Sequence, residues 1–278
     1  MISKLREILV VSDVDGTLLQ AGFGVPKENI DTIEKFTSLG GHFTVATGRG
    51  IASVGRYTDY LKLSAPAILV NGGIIYDYST GKILYESILD TGARILLSEI
   101  MNVFPNMGVE ILQRENIIAL RMNEEVHYHT ALEHIPVTLT DIKTVGDGWN
   151  KVLFADKKEK ILELKHYVDK KKKHDERYSK YEFVQTSNIY YELIPLGTNK
   201  ANGLKKLTEL TDISMNNTVA IGDFYNDLEL FSVAGLSAVV SDAPDDIKKK
   251  ADIVVKSCLA GGVADLLNRL IDKYYSEL

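Results

Sequence analysis

A chain of 278 residues is long enough to bury a substantial core, and at ~150 residues per domain its length predicts about two domains. Hydrophobic residues make up 45% and charged residues 25%, with only 6 Pro, a composition that excludes disordered and collagen-like chains. The net charge of −6 disfavours nucleic-acid and anionic-membrane binding, and a single cysteine, Cys258, excludes an internal disulfide framework or a cysteine-cluster zinc site.

No run approaches the ~20 apolar residues of a membrane-spanning helix. Lys4 and Arg6 precede the apolar run 8–11, which is too short for a signal h-region. A soluble, cytoplasmic protein is the expectation. Residues 8–11 read as a strand buried on both faces, ending at Ser12-Asp13-Val14-Asp15-Gly16. Pro26 suits the first turn of a helix reaching about residue 39, stopped by Gly40-Gly41. A strand over 43–46, a helix over 51–61 and a strand over 67–70 follow, the last closed by Asn71-Gly72-Gly73.

The middle of the chain changes rhythm. From about residue 82 to 192 the pattern gives a helix, strands over 108–113 and 117–121, a helix, and a strand near 151–155. A helix near 157–173 and strands over 181–185 and 190–194 complete it, predicting an antiparallel sheet with helices on one face. Lys170-Lys171-Lys172-Lys173 reads as a solvated helix end, and Tyr178, Tyr181, Tyr190 and Tyr191 as core and strand packing. His127-Tyr128-His129, with His134, reads as the surface of a helix or loop rather than a metal site.

The alternating rhythm then returns: a helix over 200–210, strand 218–221, helix 227–234, strands 236–240 and 253–255, and a closing helix 263–271. Strands alternating with helices predict a parallel sheet covered on both faces, interrupted by an inserted α+β module. The expected division is a core of residues 1–82 and 193–278 around an insertion of residues 83–192.

Four polar segments follow predicted strands or open a helix, and in open parallel sheets ligands bind at the carboxyl ends of strands. In Asp13-Val14-Asp15-Gly16-Thr17, residues two apart in extended chain face one site, and two carboxylates ~4 Å apart repel by ~4 kcal/mol at an effective dielectric near 20. A cation or a shared proton must offset that cost. Thr47-Gly48-Arg49 offers a hydroxyl and open backbone N–H groups to an anion, although a plain turn has the same composition. Lys200 opens a helix after Pro195 and Gly197, and its interest lies in the acidic company it could keep. In Gly222-Asp223-Phe224-Tyr225-Asn226-Asp227 the two aspartates are four apart, one helical turn, where they serve either as an acidic helix start or as part of an oxygen-rich Mg²⁺ site.

Together these segments resemble the haloacid dehalogenase-like superfamily of aspartate-nucleophile phosphotransferases. Asp13 to Leu18 resembles its first motif, Thr47 its second, Lys200 its third, and Gly222-Asp223 with Asn226-Asp227 its fourth. The layout is similar to the Cof-type branch, which inserts an α+β cap between the second and third motifs; Asn71-Gly72-Gly73 and the tail around Gly262-Val263-Ala264 also fit. The resemblance implies an α/β fold, a Rossmann-like parallel-sheet core with an inserted α+β cap domain that closes over small substrates. It implies a phosphatase acting on small phosphorylated metabolites, sugar phosphates or related esters, with Asp13 as nucleophile and Asp15 as acid and base. Thr47, Gly48, Lys200 and Asn226 would hold phosphate or substrate. Asp13, Asp15 through its carbonyl, Asp223 and Asp227 would bind Mg²⁺, Asp227 directly or through water. No nucleic-acid or membrane partner is expected, and monomer and homodimer stay equally open. The same residues would serve a phosphotransferase or mutase acting on sugar phosphates, or a non-catalytic module responding to Mg²⁺ or phosphate. Ser12, where an apolar residue is usual, and the bulky Phe224-Tyr225 depart from the family pattern.

Overall fold

The computed structural model describes residues 4–133 and 135–275, so His134 lies outside the described residues. The chain forms two compact units, one of Met1–Arg49, Gly55–Tyr85 and Asn199–Leu278, the other of Gly50–Val54 and Glu86–Thr198. No helix among the described residues is long and apolar enough to cross a membrane.

The first unit is built on a five-stranded sheet in the order Ile253–Val255, Leu236–Val240, Thr218–Gly222, Leu9–Ser12, His42–Val45. Every pairing is parallel. Leu9–Ser12 sits between two neighbours and is buried at all four residues, which is why its first three residues continue the apolar run that starts at Ile8. In the register, Ser12 lies beside Ile221 on one side and Val45 on the other. The chain therefore leaves three adjacent strands at one level, delivering Asp13, Gly222-Asp223 and Ala46-Thr47 to the same edge.

Helices cover this sheet through their apolar stripes. Lys27–Ser38 buries Ile33 and Phe36 while Lys27, Glu34 and Lys35 stay exposed, and it packs against Gly262–Tyr274. Asn29, fully buried, ties this layer to the sheet loop by donating to the Leu18 carbonyl at 3.2 Å and accepting from the Ala264 N–H at 2.9 Å. Lys200–Leu210 buries Leu204 and Leu207 and packs against Leu228–Val233.

A three-stranded sheet, Ala67–Leu69, Ile74–Asp77 and Lys82–Glu86, was expected only in its first strand. The other two are short and partly exposed, so their apolar pattern is weak. Asp77 closes the turn between them by accepting from the Ser79 N–H and hydroxyl at 2.9 and 2.7 Å. The helix expected over 51–61 stops after Ile51–Gly55, and a turn replaces the rest, with the Leu61 N–H returning to the Tyr57 carbonyl at 2.8 Å. The glycine ends a helix of one turn that has little length to sustain it.

The second unit is a six-stranded sheet in the order Tyr181–Gln185, Tyr190–Pro195, Lys151–Ala155, Gly108–Gln113, Asn116–Arg121, Val137–Leu139. It is antiparallel except for the last pairing, an edge strand of three half-buried or exposed residues that the pattern did not reveal. Val109, Ile111, Val152 and Phe154 join Leu96, Leu97 and Ile100 of Gly92–Val103 and Ile161, Leu164 and Val168 of Lys158–Lys172 in one core. Tyr178, Tyr181 and Tyr191 belong to that core. The alternate residue Glu110 instead meets His129 of Glu124–Glu133, Oε2 to Nδ1 at 2.8 Å, so a helix covers the other face as well, where helices on one face were expected. His127 is exposed while His129 binds this carboxylate, so the two histidines do not converge.

Candidate active site

The turn after Leu9–Ser12 is wound tightly by its own backbone: the Leu18 and Leu19 N–H groups both donate to the Val14 carbonyl, at 3.0 and 2.9 Å. Gly16, at φ +89°, is the residue that lets the chain turn back, and it has a second duty. A Cβ there would lie 2.4 Å from Asp223 Oδ2, so only glycine lets the fourth segment approach the first. Thr17 completes the junction by donating from Oγ1 to Asp223 Oδ1 at 3.1 Å.

Lys200 is delivered by the start of its helix, and a close backbone contact sets that start. Gly72, at φ +98°, lies so near Asn199 that a Cβ would meet the Asn199 carbonyl oxygen at 2.2 Å. Val70 and Asn71 beside it adopt φ of +52° and +54°, a conformation costly for a β-branched residue. Hydrogen bonds hold them there: Val70 N–H to the Arg49 carbonyl at 3.0 Å and Asn71 N–H to the Thr47 carbonyl at 2.8 Å. The Asn71-Gly72-Gly73 turn thus joins the Thr47 segment to the Lys200 helix.

At the centre, Lys200 Nζ donates to Asp13 Oδ1 at 2.5 Å and to Asp227 Oδ1 at 2.7 Å. Lys200 is 2% exposed, Asp13 5% and Asp227 0%, so these charges have little water to lean on. Asp227 Oδ2 accepts from the Asp223 and Phe224 N–H groups at 3.0 and 3.2 Å, fixing the loop that carries Asp223. Ligand oxygens of Asp13, Asp223 and Asp227 all lie within 4.8 Å of one another. Three carboxylates thus lie together, two of them paired with the Lys200 ammonium. Burial pushes the Asp13 carboxyl well above its ordinary value; Lys200 opposes this, while Asp227 and Asp223 add to it. Burial and the Asp227 charge push Asp223 up to about 6. Burial alone would lower Lys200, but the Asp13 and Asp227 charges hold it above its ordinary value.

The remaining predicted residues sit around this centre with different degrees of engagement. Thr47 is buried two positions past the strand, its N–H on the Ile68 carbonyl at 2.9 Å and its Oγ1 accepting from the Arg49 N–H at 3.2 Å. A Cβ on Gly48 would lie 3.2 Å from the Asn71 amide, so this turn is closely packed. Asp15 is exposed and both oxygens of its carboxylate accept from Arg49. Asn226 is exposed in the turn Tyr225–Asp227. Ser12 is buried and donates from Oγ to the Asp13 carbonyl at 2.6 Å, so its hydroxyl is absorbed by the backbone. Phe224 and Tyr225 are both exposed, and Tyr225 donates its hydroxyl to Asp246 at 2.9 Å.

Sequence reasoning assigned no role to Thr17, Arg49 or Asn71. All three stand inside or beside the segments it singled out, but their partners lie across the fold, and spacing along the chain carries no signal for that.

A parallel sheet with aspartates and a lysine gathered at its carboxyl edge is the frame of an aspartate-based hydrolase, and comparison with known proteins agrees. Residues 10–267 match the haloacid dehalogenase-like hydrolase family, and the chain belongs to it. The position of its inserted α+β unit, between the Thr47 and Lys200 segments, is that of the Cof-type branch. The chain is 27% identical over 295 residues to a 5-amino-6-(5-phospho-D-ribitylamino)uracil phosphatase of Bacillus subtilis, covering 96% of this chain and 99% of that one. It is 23% identical to a pyridoxal phosphate phosphatase of Escherichia coli, covering 93% and 97%. A haloacid dehalogenase-like hydrolase from Bacteroides thetaiotaomicron has the same fold, with a TM-score of 0.86 at 22% identity, covering 95% of this chain and 99% of that one. The protein is a phosphatase.

Proposed function

We propose that this phosphatase hydrolyses monoesters of small phosphorylated metabolites through an aspartyl phosphate on Asp13, with Mg²⁺ as its cation. The observation that carries the reading is the cluster of Asp13, half-buried Asp223 and Asp227, their ligand oxygens within 4.8 Å of one another, with Lys200 paired to the two buried members. Such a cluster is short of positive charge, and its donors are all oxygen, which suits a hard divalent cation. Asp13 and Asp223 would hold the ion, with the Asp15 backbone carbonyl. Asp227, whose two oxygens already accept from Lys200 and from backbone N–H groups, supports it from behind. When bound, Mg²⁺ supplies charge that neutralises the phosphoryl oxygens and the carboxylates facing them.

The chain's own residues do the rest. An Asp13 carboxylate oxygen attacks phosphorus, forming an acyl phosphate as the bond to the leaving alkoxide breaks. Asp15 gives that oxygen its proton, then takes one from the water that hydrolyses the acyl phosphate, regenerating Asp13 and releasing inorganic phosphate. Lys200 favours the ionised form of the nucleophile, opposing the effect of burial, and orients it. Thr47, the Gly48 backbone and Lys200 hold the phosphoryl group, with Asn226 at the exposed rim. The relatives named above act on a ribitylaminouracil phosphate and on pyridoxal phosphate, which supports a small phosphorylated molecule as substrate class. The test is release of inorganic phosphate from p-nitrophenyl phosphate and from a panel of phosphorylated metabolites, with Asp13→Asn alongside. Turnover by the wild type and none by the variant supports the reading; equal turnover by both overturns it.

A further inference from the structure

Arg49 makes the most complete side-chain contact with a functional residue that the mechanism above leaves unused. Its Nε donates to Asp15 Oδ2 at 2.8 Å and its Nη2 to Asp15 Oδ1 at 2.7 Å, a two-pronged pairing that occupies both carboxylate oxygens. The Asp15 side chain is 51% exposed and that of Arg49 only 13%, so the guanidinium is the fixed member of the pair. Arg49 is held at three points. Its N–H donates to Thr47 Oγ1 at 3.2 Å, its carbonyl accepts from the Val70 N–H at 3.0 Å, and its guanidinium lies 5.8 Å from the centre of the Tyr57 ring.

We propose that Arg49 is a positioning residue for the acid–base step: its planar fork fixes the direction of the Asp15 carboxylate relative to the Thr47 turn. The inference rests on the role of Asp15 given above. Asp15 stands on a half-exposed turn beside Gly16, which is at φ +89°, where a lone carboxylate would sample several rotamers. A guanidinium set against a ring, on a residue whose backbone is pinned through both its N–H and its carbonyl, removes that freedom, and a flexible point charge such as lysine would not. Both oxygens of the Asp15 carboxylate accept from Arg49; while Asp15 carries the proton, the oxygen that bears it turns to the leaving oxygen and the other still accepts from Arg49, and once the proton has passed to that leaving oxygen the carboxylate takes up both bonds again.

The test separates proton delivery from phosphate binding through the leaving group. An alkyl phosphate such as glycerol phosphate needs a proton on its departing oxygen; p-nitrophenyl phosphate leaves as a stable anion without one. Arg49→Met is expected to lower kcat/KM for glycerol phosphate by about tenfold or more while changing that for p-nitrophenyl phosphate by less than about threefold. In an Asp15→Asn background, Arg49→Met should add no further loss. An equal fall on both esters, no fall on either, or an undiminished further loss in the Asp15→Asn background overturns the inference. Arg49→Lys, which keeps a charge and an aliphatic stem, provides the same comparison should Arg49→Met not fold. If Asp15→Asn itself shows no leaving-group dependence, the acid role of Asp15 falls and this inference with it. If Asp15→Asn shows the dependence and Arg49→Met does not, only the positioning role falls.

Discussion

The carboxylate triad sets function against stability, and Asp223→Asn exposes the conflict. Asp223 is held at about 6 against an ordinary 3.8, by burial first and by the Asp227 charge second. The folded chain therefore binds this proton more tightly than the unfolded chain. Between about pH 4 and pH 6 it carries the excess proton, so stability falls as pH rises through that window and stays reduced above it. The difference amounts to about 3 kcal/mol near neutrality, at 1.36 kcal/mol per pKa unit. Asparagine removes the charge while its amide oxygen can still accept from Thr17 Oγ1, the bond that locates Asp223. With EDTA at pH 7.5 the variant should be more stable than the wild type by up to about 3 kcal/mol, and near pH 4 the gap should close. For a chain of this size each kcal/mol moves the unfolding midpoint by about 2–4 °C, which thermal denaturation followed by circular dichroism resolves. Saturating Mg²⁺ should narrow the gap at pH 7.5 by raising the wild type alone, by about 2.7 kcal/mol at one hundred times Kd. A variant less stable than the wild type in EDTA at pH 7.5, or an advantage indifferent to pH, would refute the reasoning.

Four further outcomes follow from the same geometry. Asp13→Asn should leave no measurable phosphate release while retaining the circular dichroism spectrum of the wild type, because the amide is isosteric and Lys200 keeps its Asp227 partner. Dialysis against EDTA should abolish p-nitrophenyl phosphate hydrolysis, and excess Mg²⁺ should restore it. Lys200→Met should cost about 3–5 kcal/mol in urea unfolding at neutral pH by leaving buried carboxylates unpaired; combining it with Asp13→Asn should recover part of that loss. Gly16→Ala should weaken Mg²⁺ dependence of the rate by about tenfold or more, since the added methyl would lie 2.4 Å from Asp223 Oδ2. An unchanged Mg²⁺ titration in that variant would show that the approach of the two loops is not needed.

How much of this was readable in the chain depends on the range of the interaction that fixes it. Leu9–Ser12 and Thr218–Gly222 are legible because a strand buried on both faces is apolar through most of its length, here Leu9 to Val11 and Val219 to Ile221. Asp13 and Asp223 stand out because carboxylates at the end of such strands are costly unless offset, whereas Lys200, opening a helix, and Asp227, a turn further on, draw notice only through the company they could keep. Ile74–Asp77, Lys82–Glu86 and Val137–Leu139 are not, because partly exposed strands carry mixed patterns. The division of labour among the aspartates is also hidden. That Asp227 turns one oxygen to Lys200 and the other to its own loop, while Asp15 turns to Arg49, follows from side-chain directions set by tertiary contacts.

The strained turn at Val70 and Asn71 shows how the chain meets the cost of this site. Nothing in Val-Asn-Gly-Gly favours left-handed backbone at a β-branched valine, which an isolated segment would avoid. The turn persists because its N–H groups are taken by the Thr47 and Arg49 carbonyls on one side and Gly72 is pressed against Asn199 on the other. On that same second side Gly203 sits so near Gly72 that a Cβ would lie 2.8 Å from the Gly72 Cα. The glycines let the Lys200 helix dock close enough for its ammonium to reach Asp13, and the ion pairs with Asp13 and Asp227 hold it there. Backbone strain in one loop and unrelieved negative charge in another thus arise from a single requirement, a short distance between the second, third and fourth segments and Asp13.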